Sequence, residues 1–77
     1  MKGRRLGDLK KNQSGHIISV AKDHTEMARR LLQMGFLEGS MVGMIHEAPF
    51  GGDPIAVRIR GALVALRRAE ANLVEVD

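Results

Sequence analysis

The sequence predicts a mainly β domain, a small barrel of about five short strands with one amphipathic helix between the first and second. Three observations carry this. Ile55, Val57 and Ile59 alternate with Ala56, Arg58 and Arg60, the period of two expected of a half-buried strand. Met27, Ala28, Leu31, Leu32 and Met34 share one arc at about 100° per residue, opposite Arg29, Arg30 and Gln33. The chain has only 77 residues, too few for two domains, so residues 1–77 read as one. Short strands and one helix cannot build two flat layers unless the sheet curls. A closed or nearly closed barrel, with the helix plugging one end, also leaves the fewest free strand edges. Repeated crossover helices are lacking, which excludes a parallel three-layer α/β sheet.

Each element has its own local cause. Leu6 and Leu9 are spaced like one turn of helix and are expected to pin residues 1–14 against the core. Gly15 opens a first strand, His16-Ile17-Ile18-Ser19-Val20. Asp23, three residues before Glu26, has the spacing of a capping box and starts the helix. Gly35 supplies a left-handed stop, and Phe36 is placed to touch Leu31 in a Schellman-type ending. Glu38-Gly39 is a turn, followed by a strand over residues 41–47 with weak alternation. Pro49 to Pro54, with Gly51-Gly52 between, form a loop into the alternating strand from Ile55. Gly61 permits a tight turn into Ala62-Leu63-Val64-Ala65-Leu66, whose unbroken apolar run reads as a more fully buried strand. Arg68-Ala69-Glu70-Ala71 makes one helical turn, and Leu73-Val74-Glu75-Val76 closes the sheet.

Composition narrows the function. There is no cysteine, so no disulfide or thiolate metal site staples the domain, and the lack fits a cytoplasmic setting. No apolar run approaches the ~20 residues of a membrane span, and the basic start lacks the apolar region of a signal peptide. Net charge is +3 and is concentrated at the front. Residues 1–22 hold six basic side chains against Asp8 alone, whereas residues 23–77 hold six arginines against eight acids. Such an arm can face an anionic partner or stand as a solvated segment.

Catalysis finds no foothold. Ser14, Ser19 and Ser40 lie in no nucleophile elbow, and Gly51-Gly52 lacks the lysine and hydroxyl of a phosphate loop. His16, His24 and His46 are spaced too widely for a helical or turn-based zinc pair, which favours structural histidines. Met27, Met34, Met41 and Met44 read as adaptable core filling rather than a soft-metal site. Nucleic-acid binding is the rival that a pI near 10.0 raises. Barrels that bind single strands stack bases on exposed aromatics, and this chain has two Phe and no Tyr or Trp. The pairs Arg29-Arg30 and Arg67-Arg68 read as the solvated faces of a helix and a turn.

Three motifs in order resemble one family. Ala28-Arg29-Arg30-Leu31-Leu32-Gln33-Met34-Gly35-Phe36-Leu37-Glu38-Gly39 is similar to the helix and turn of the ferrous-iron transport protein A family. Ala48-Pro49-Phe50-Gly51-Gly52-Asp53-Pro54-Ile55 resembles its central hairpin loop, and residues 65–76 resemble its closing segment. Glu38 stands where members often carry Pro, and Gly51-Gly52 makes the loop tip one residue longer. The resemblance implies an SH3-like barrel and a cytoplasmic, non-enzymatic accessory role in bacterial ferrous-iron uptake. The implied partner is the ferrous-iron transport protein B-like membrane GTPase permease. It implies no required cofactor, leaves room for weak transition-metal binding, and implies neither specific nucleic acid nor membrane insertion. The alternative is a free-standing regulatory or nucleic-acid-binding barrel related to the C-terminal domains of metal-dependent repressors. Arg29, Arg30, Phe50, Gly51, Gly52 and Asp53 are the expected partner-binding residues, since barrels dock through loops and exposed sides.

Overall fold

A computed structural model describes residues 3–23, 25–49 and 51–77. The elements follow in the order β1 (Arg4–Arg5), a 3₁₀ turn (Leu6–Asp8), β2 (Ser14–Val20), α1 (Thr25–Gln33), β3 (Met41–Glu47), β4 (Ile55–Ile59), β5 (Ala62–Leu66), α2 (Arg68–Ala71) and β6 (Val74–Val76). The six strands form one antiparallel sheet in the order β1-β6-β2-β3-β4-β5. The two-residue β1 joins the five strands expected from sequence, so the long helix lies between β2 and β3.

The sheet curls because β2 serves two neighbours. Its first half pairs with β3, Ser14 opposite Gly43 and His16 opposite Met41. Its second half pairs with β6, Ile17 opposite Val76 and Val20 opposite Val74. Within the β2–β6 pairing a register shift between Ile17 and Ser19 bends the strand. A second shift between Met44 and His46 bends β3 against β4. Arg60 and Gly61, both at positive φ, close the two-residue turn that sets Ile59 opposite Ala62.

The helix ends as a Schellman stop. The Phe36 N–H donates to the Leu31 carbonyl at 3.0 Å and the Gly35 N–H to the Leu32 carbonyl at 3.0 Å, with Gly35 at φ +100. Both side chains that the motif brings together, Leu31 and Phe36, have no exposed surface. They share one core with Val42, Met44, Ile55, Val57 and Ile59, against which Met34 packs partly buried. Leu6 and Leu9 enter the same core from the 3₁₀ turn, as their spacing predicts. α1 begins at Thr25, so Asp23, the expected cap, stands two residues before it, and His24 between them lies outside the described residues.

Two burial expectations are overturned. Leu32, counted on the apolar arc, is 49% exposed. It follows Leu31 by one residue, so it lies about 100° round the helix from the buried centre of that arc. β5 is not fully buried: Ala62, Leu63 and Ala65 are exposed, and Leu66 is the buried member. A terminal strand has one neighbour and one face on the core, so an all-apolar run there remains half solvated.

β1 and β5 end the sheet and do not pair with each other. Side chains bridge this seam. Arg68 Nη1, just beyond β5, donates to the Gly7 carbonyl just beyond β1 at 2.6 Å. Arg5 Nη1, on β1, donates to the Asn72 carbonyl just beyond α2 at 2.7 Å.

Candidate docking surface

The loop from β3 to β4 is built by its glycines and held by one arginine. Gly51 and Gly52 sit at φ +107 and +69, which only a side chain without Cβ adopts at little cost. The Ala48 N–H donates to the Pro54 carbonyl at 3.0 Å across the loop's base. Arg68 then fastens the loop to α2. Its Nε donates to the Gly52 carbonyl at 2.8 Å, and its backbone N–H donates to Asp53 Oδ1 at 3.1 Å. Its Nη2 pairs with Glu47 at the end of β3. With the bond to Gly7, each guanidinium nitrogen serves a different segment, a use of planar geometry that an ammonium group cannot copy.

Arg30 is tied to the same short helix. Its Nη1 lies 3.1 Å from Glu70 Oε2, and Glu70 is the buried charged side chain among the described residues. The other Glu70 oxygen accepts the Arg67 N–H at 3.0 Å and caps α2. α2 therefore connects the two halves of the expected site: Arg30 through Glu70, and Gly52 with Asp53 through Arg68. Arg29 is exposed. Phe50 lies outside the described residues.

Arg68 and Glu70 are the residues that sequence reasoning missed. Arg67-Arg68 was expected to be solvated, yet the Arg68 side chain is 30% exposed and fully engaged. Only the Glu70 half of a capping box forms, because the Arg67 side chain has no acceptor, so the step from Arg67 to Glu70 lacks the Ser, Thr, Asp or Asn that would mark it in sequence. No local signal could have joined Arg68 to Gly7, because the contact spans 61 residues.

The histidines do not converge. His16 sits opposite Met41 at one end of β3, and His46 lies exposed near the other. His24 is outside the described residues. Among the described residues no group of three or more His, Asp or Glu comes together in a metal-holding arrangement. His16 is instead paired with Asp77. Its N–H donates to Asp77 Oδ1 at 2.7 Å, and its Nδ1 lies 3.2 Å from Oδ2. The backbone bond is the main cause that holds the Asp77 carboxyl below its ordinary pKa; desolvation opposes it, and the His16 ring and the Arg4 charge add smaller lowering effects.

Among the described residues no helix is long and apolar enough to cross a membrane. A family model described as the FeoA domain matches residues 4–77. An Fe(2+) transport protein A/Fe(2+) transporter FeoB fusion protein of Porphyromonas gingivalis is 33% identical over 73 residues, 95% of this chain. The chain spans 8% of that relative's length. The crystal structure of Stenotrophomonas maltophilia FeoA complexed with zinc, a procaryotic SH3 domain protein, superposes with a TM-score of 0.85 at 37% identity. That match covers 96% of this chain and 89% of the other. A manganese-dependent transcriptional repressor shares the fold alone, with a TM-score of 0.85 at 23% identity over 96% of this chain and 40% of its own.

Proposed function

Because this chain belongs to the FeoA domain family, we propose that it is a cytoplasmic, non-enzymatic accessory of ferrous-iron uptake that docks on the membrane GTPase permease. The carrying observation is the relative in which a protein A domain and the FeoB transporter share one polypeptide. Fusion raises the effective concentration of one part at the other, which suits partners that act together. Iron is the cargo of the permease in this reading, and the accessory needs no metal of its own to fold. The zinc seen with the Stenotrophomonas maltophilia protein is compatible with weak, dispensable metal binding here.

The docking face is the loop over residues 49–54 with the exposed side of α1. Arg68 holds Gly52 and Asp53 in place, so the loop loses little conformational freedom on binding. Arg29 supplies a solvent-facing charge on α1, and Arg30 contributes its outward surface while bonded to Glu70. Phe50 supplies an aromatic to a loop otherwise made of Gly, Pro and Asp, and interface energy concentrates in aromatic and Arg residues.

The test is titration of the full chain into the purified permease in lipid nanodiscs, followed by calorimetry. Saturable, stoichiometric binding is expected, weakened at least ~10-fold by Phe50→Ala with the melting midpoint unchanged. Absence of binding, or equal binding to an unrelated GTPase, overturns the reading.

A further inference from the structure

Gly43 is the one glycine of nine with neither a positive φ nor a close contact where a Cβ would stand. Five others have positive φ, and a Cβ on Gly3, Gly7 or Gly15 would meet a neighbour at 3.0 Å or less. Gly43 lies in the middle of β3 between Val42 and Met44, which point into the core, so its own position faces outward. A Cβ there would meet nothing nearer than Ser14 Cβ at 3.7 Å, an ordinary contact. Glycine inside a strand weakens it, and it commonly marks a place where a ligand or another chain approaches closely.

The gap left by Gly43 is the floor of an open groove of about 380 Å³ on the outer face of β3 and β4. Met41 and Ile45 wall it from β3, and Arg58 and Arg60 from the far side. Leu63, opposite Arg58 in register, extends the apolar surface onto β5. Leu63 and Met41, 61% and 56% exposed, are the most exposed large apolar side chains among the described residues. No carboxylate lines the groove, and neither arginine is in an ion pair among the described residues.

We propose that this groove takes a segment of a partner protein that carries an aliphatic side chain flanked by carboxylates. The aliphatic group sits on Gly43 between Met41 and Ile45, and the carboxylates pair with Arg58 and Arg60. Charge complementarity selects an acidic partner, and the apolar floor selects an aliphatic one. Nucleic acid is a poorer match, because the groove has no aromatic on which a base can stack. An anionic membrane is also poorer: stable attraction to a lipid surface takes a cluster of several cations, and the groove has two. The site is separate from the loop over residues 49–54, and its test does not depend on the permease.

The experiment pans a random 12-residue peptide library on the full chain, then measures synthetic versions of the enriched peptides by fluorescence anisotropy. Enriched peptides are expected to combine Asp or Glu with Leu, Ile or Val. Arg58→Glu and Gly43→Val should each weaken their binding at least ~10-fold, and Gly43→Val should melt at or above the parent midpoint. The proposal is overturned by enrichment of peptides of another composition or of none. Retained affinity in either variant overturns it too. So does a lowered melting midpoint for Gly43→Val, since the fold itself would then need the glycine. Displacement of the peptides by oligodeoxythymidylate or by phosphatidylglycerol vesicles overturns it in favour of a general anion surface.

Discussion

Arg68 donates from Nη1 to the carbonyl of Gly7 at 2.6 Å, joining the two unpaired ends of the sheet. The same guanidinium holds Gly52 and Glu47, so one side chain links the barrel seam to the loop proposed for docking. Closing a sheet with a side chain keeps the strands at the seam short while still satisfying a backbone carbonyl there.

Arg68→Ala should therefore cost about 1–3 kcal/mol, since charge-assisted hydrogen bonds are lost and a carbonyl at the seam is left unpaired. Arg68→Lys should recover little, because one ammonium cannot reach three segments. Urea denaturation midpoints check both variants. Full stability in Arg68→Ala would show that the seam closes without it.

The helix face separates Leu31 from Leu32. Leu31→Ala should cost about 2–5 kcal/mol through the cavity it leaves in the core. Leu32→Ala, at a site 49% exposed, should stay within about 0.5 kcal/mol. Thermal melts of the two variants should therefore differ widely, and equal melting points would refute the orientation of α1.

Two glycines should respond with opposite sign. Gly35→Ala places a Cβ at φ +100 and within 3.1 Å of Arg60 Cδ, so it should destabilise by about 1 kcal/mol or more. Gly43→Ala has ordinary backbone geometry and free space, so it should stabilise by about 0.5–1 kcal/mol. Denaturant midpoints of both variants decide the matter.

The His16–Asp77 pair predicts behaviour at acid pH. The Asp77 pKa is lowered in the folded chain from the ordinary 3.8. A lowered folded pKa means that the stabilisation is complete above that ordinary value and is lost as the pH falls through the folded one. The stability gap between the parent and Asp77→Asn should thus be constant at neutral pH and narrow below about pH 4. The pair is exposed, so the gap should be small and should shrink in salt. A gap that widens in acid would contradict the assignment.

The individual elements were legible in short stretches of the chain. Alternation placed β4, the arc of apolar residues placed α1, and Gly35 with Phe36 encoded the helix stop down to its two hydrogen bonds. Gly51 and Gly52 marked a loop that does adopt positive φ. These features depend on residues a few positions apart, where period and backbone sterics act directly. Relationships across long separations came from the way the curled sheet packs. That packing set which terminal strand stays half exposed, so that the apolar run of β5 is an edge and not a core strand. It turned Arg68 from a solvated charge into the clasp on Gly7, and it buried Glu70 between Arg30 and the start of α2. Side-chain pattern fixes which face of an element is apolar, but a charged residue's partner depends on how the curled sheet brings distant carbonyls and carboxylates within hydrogen-bond reach.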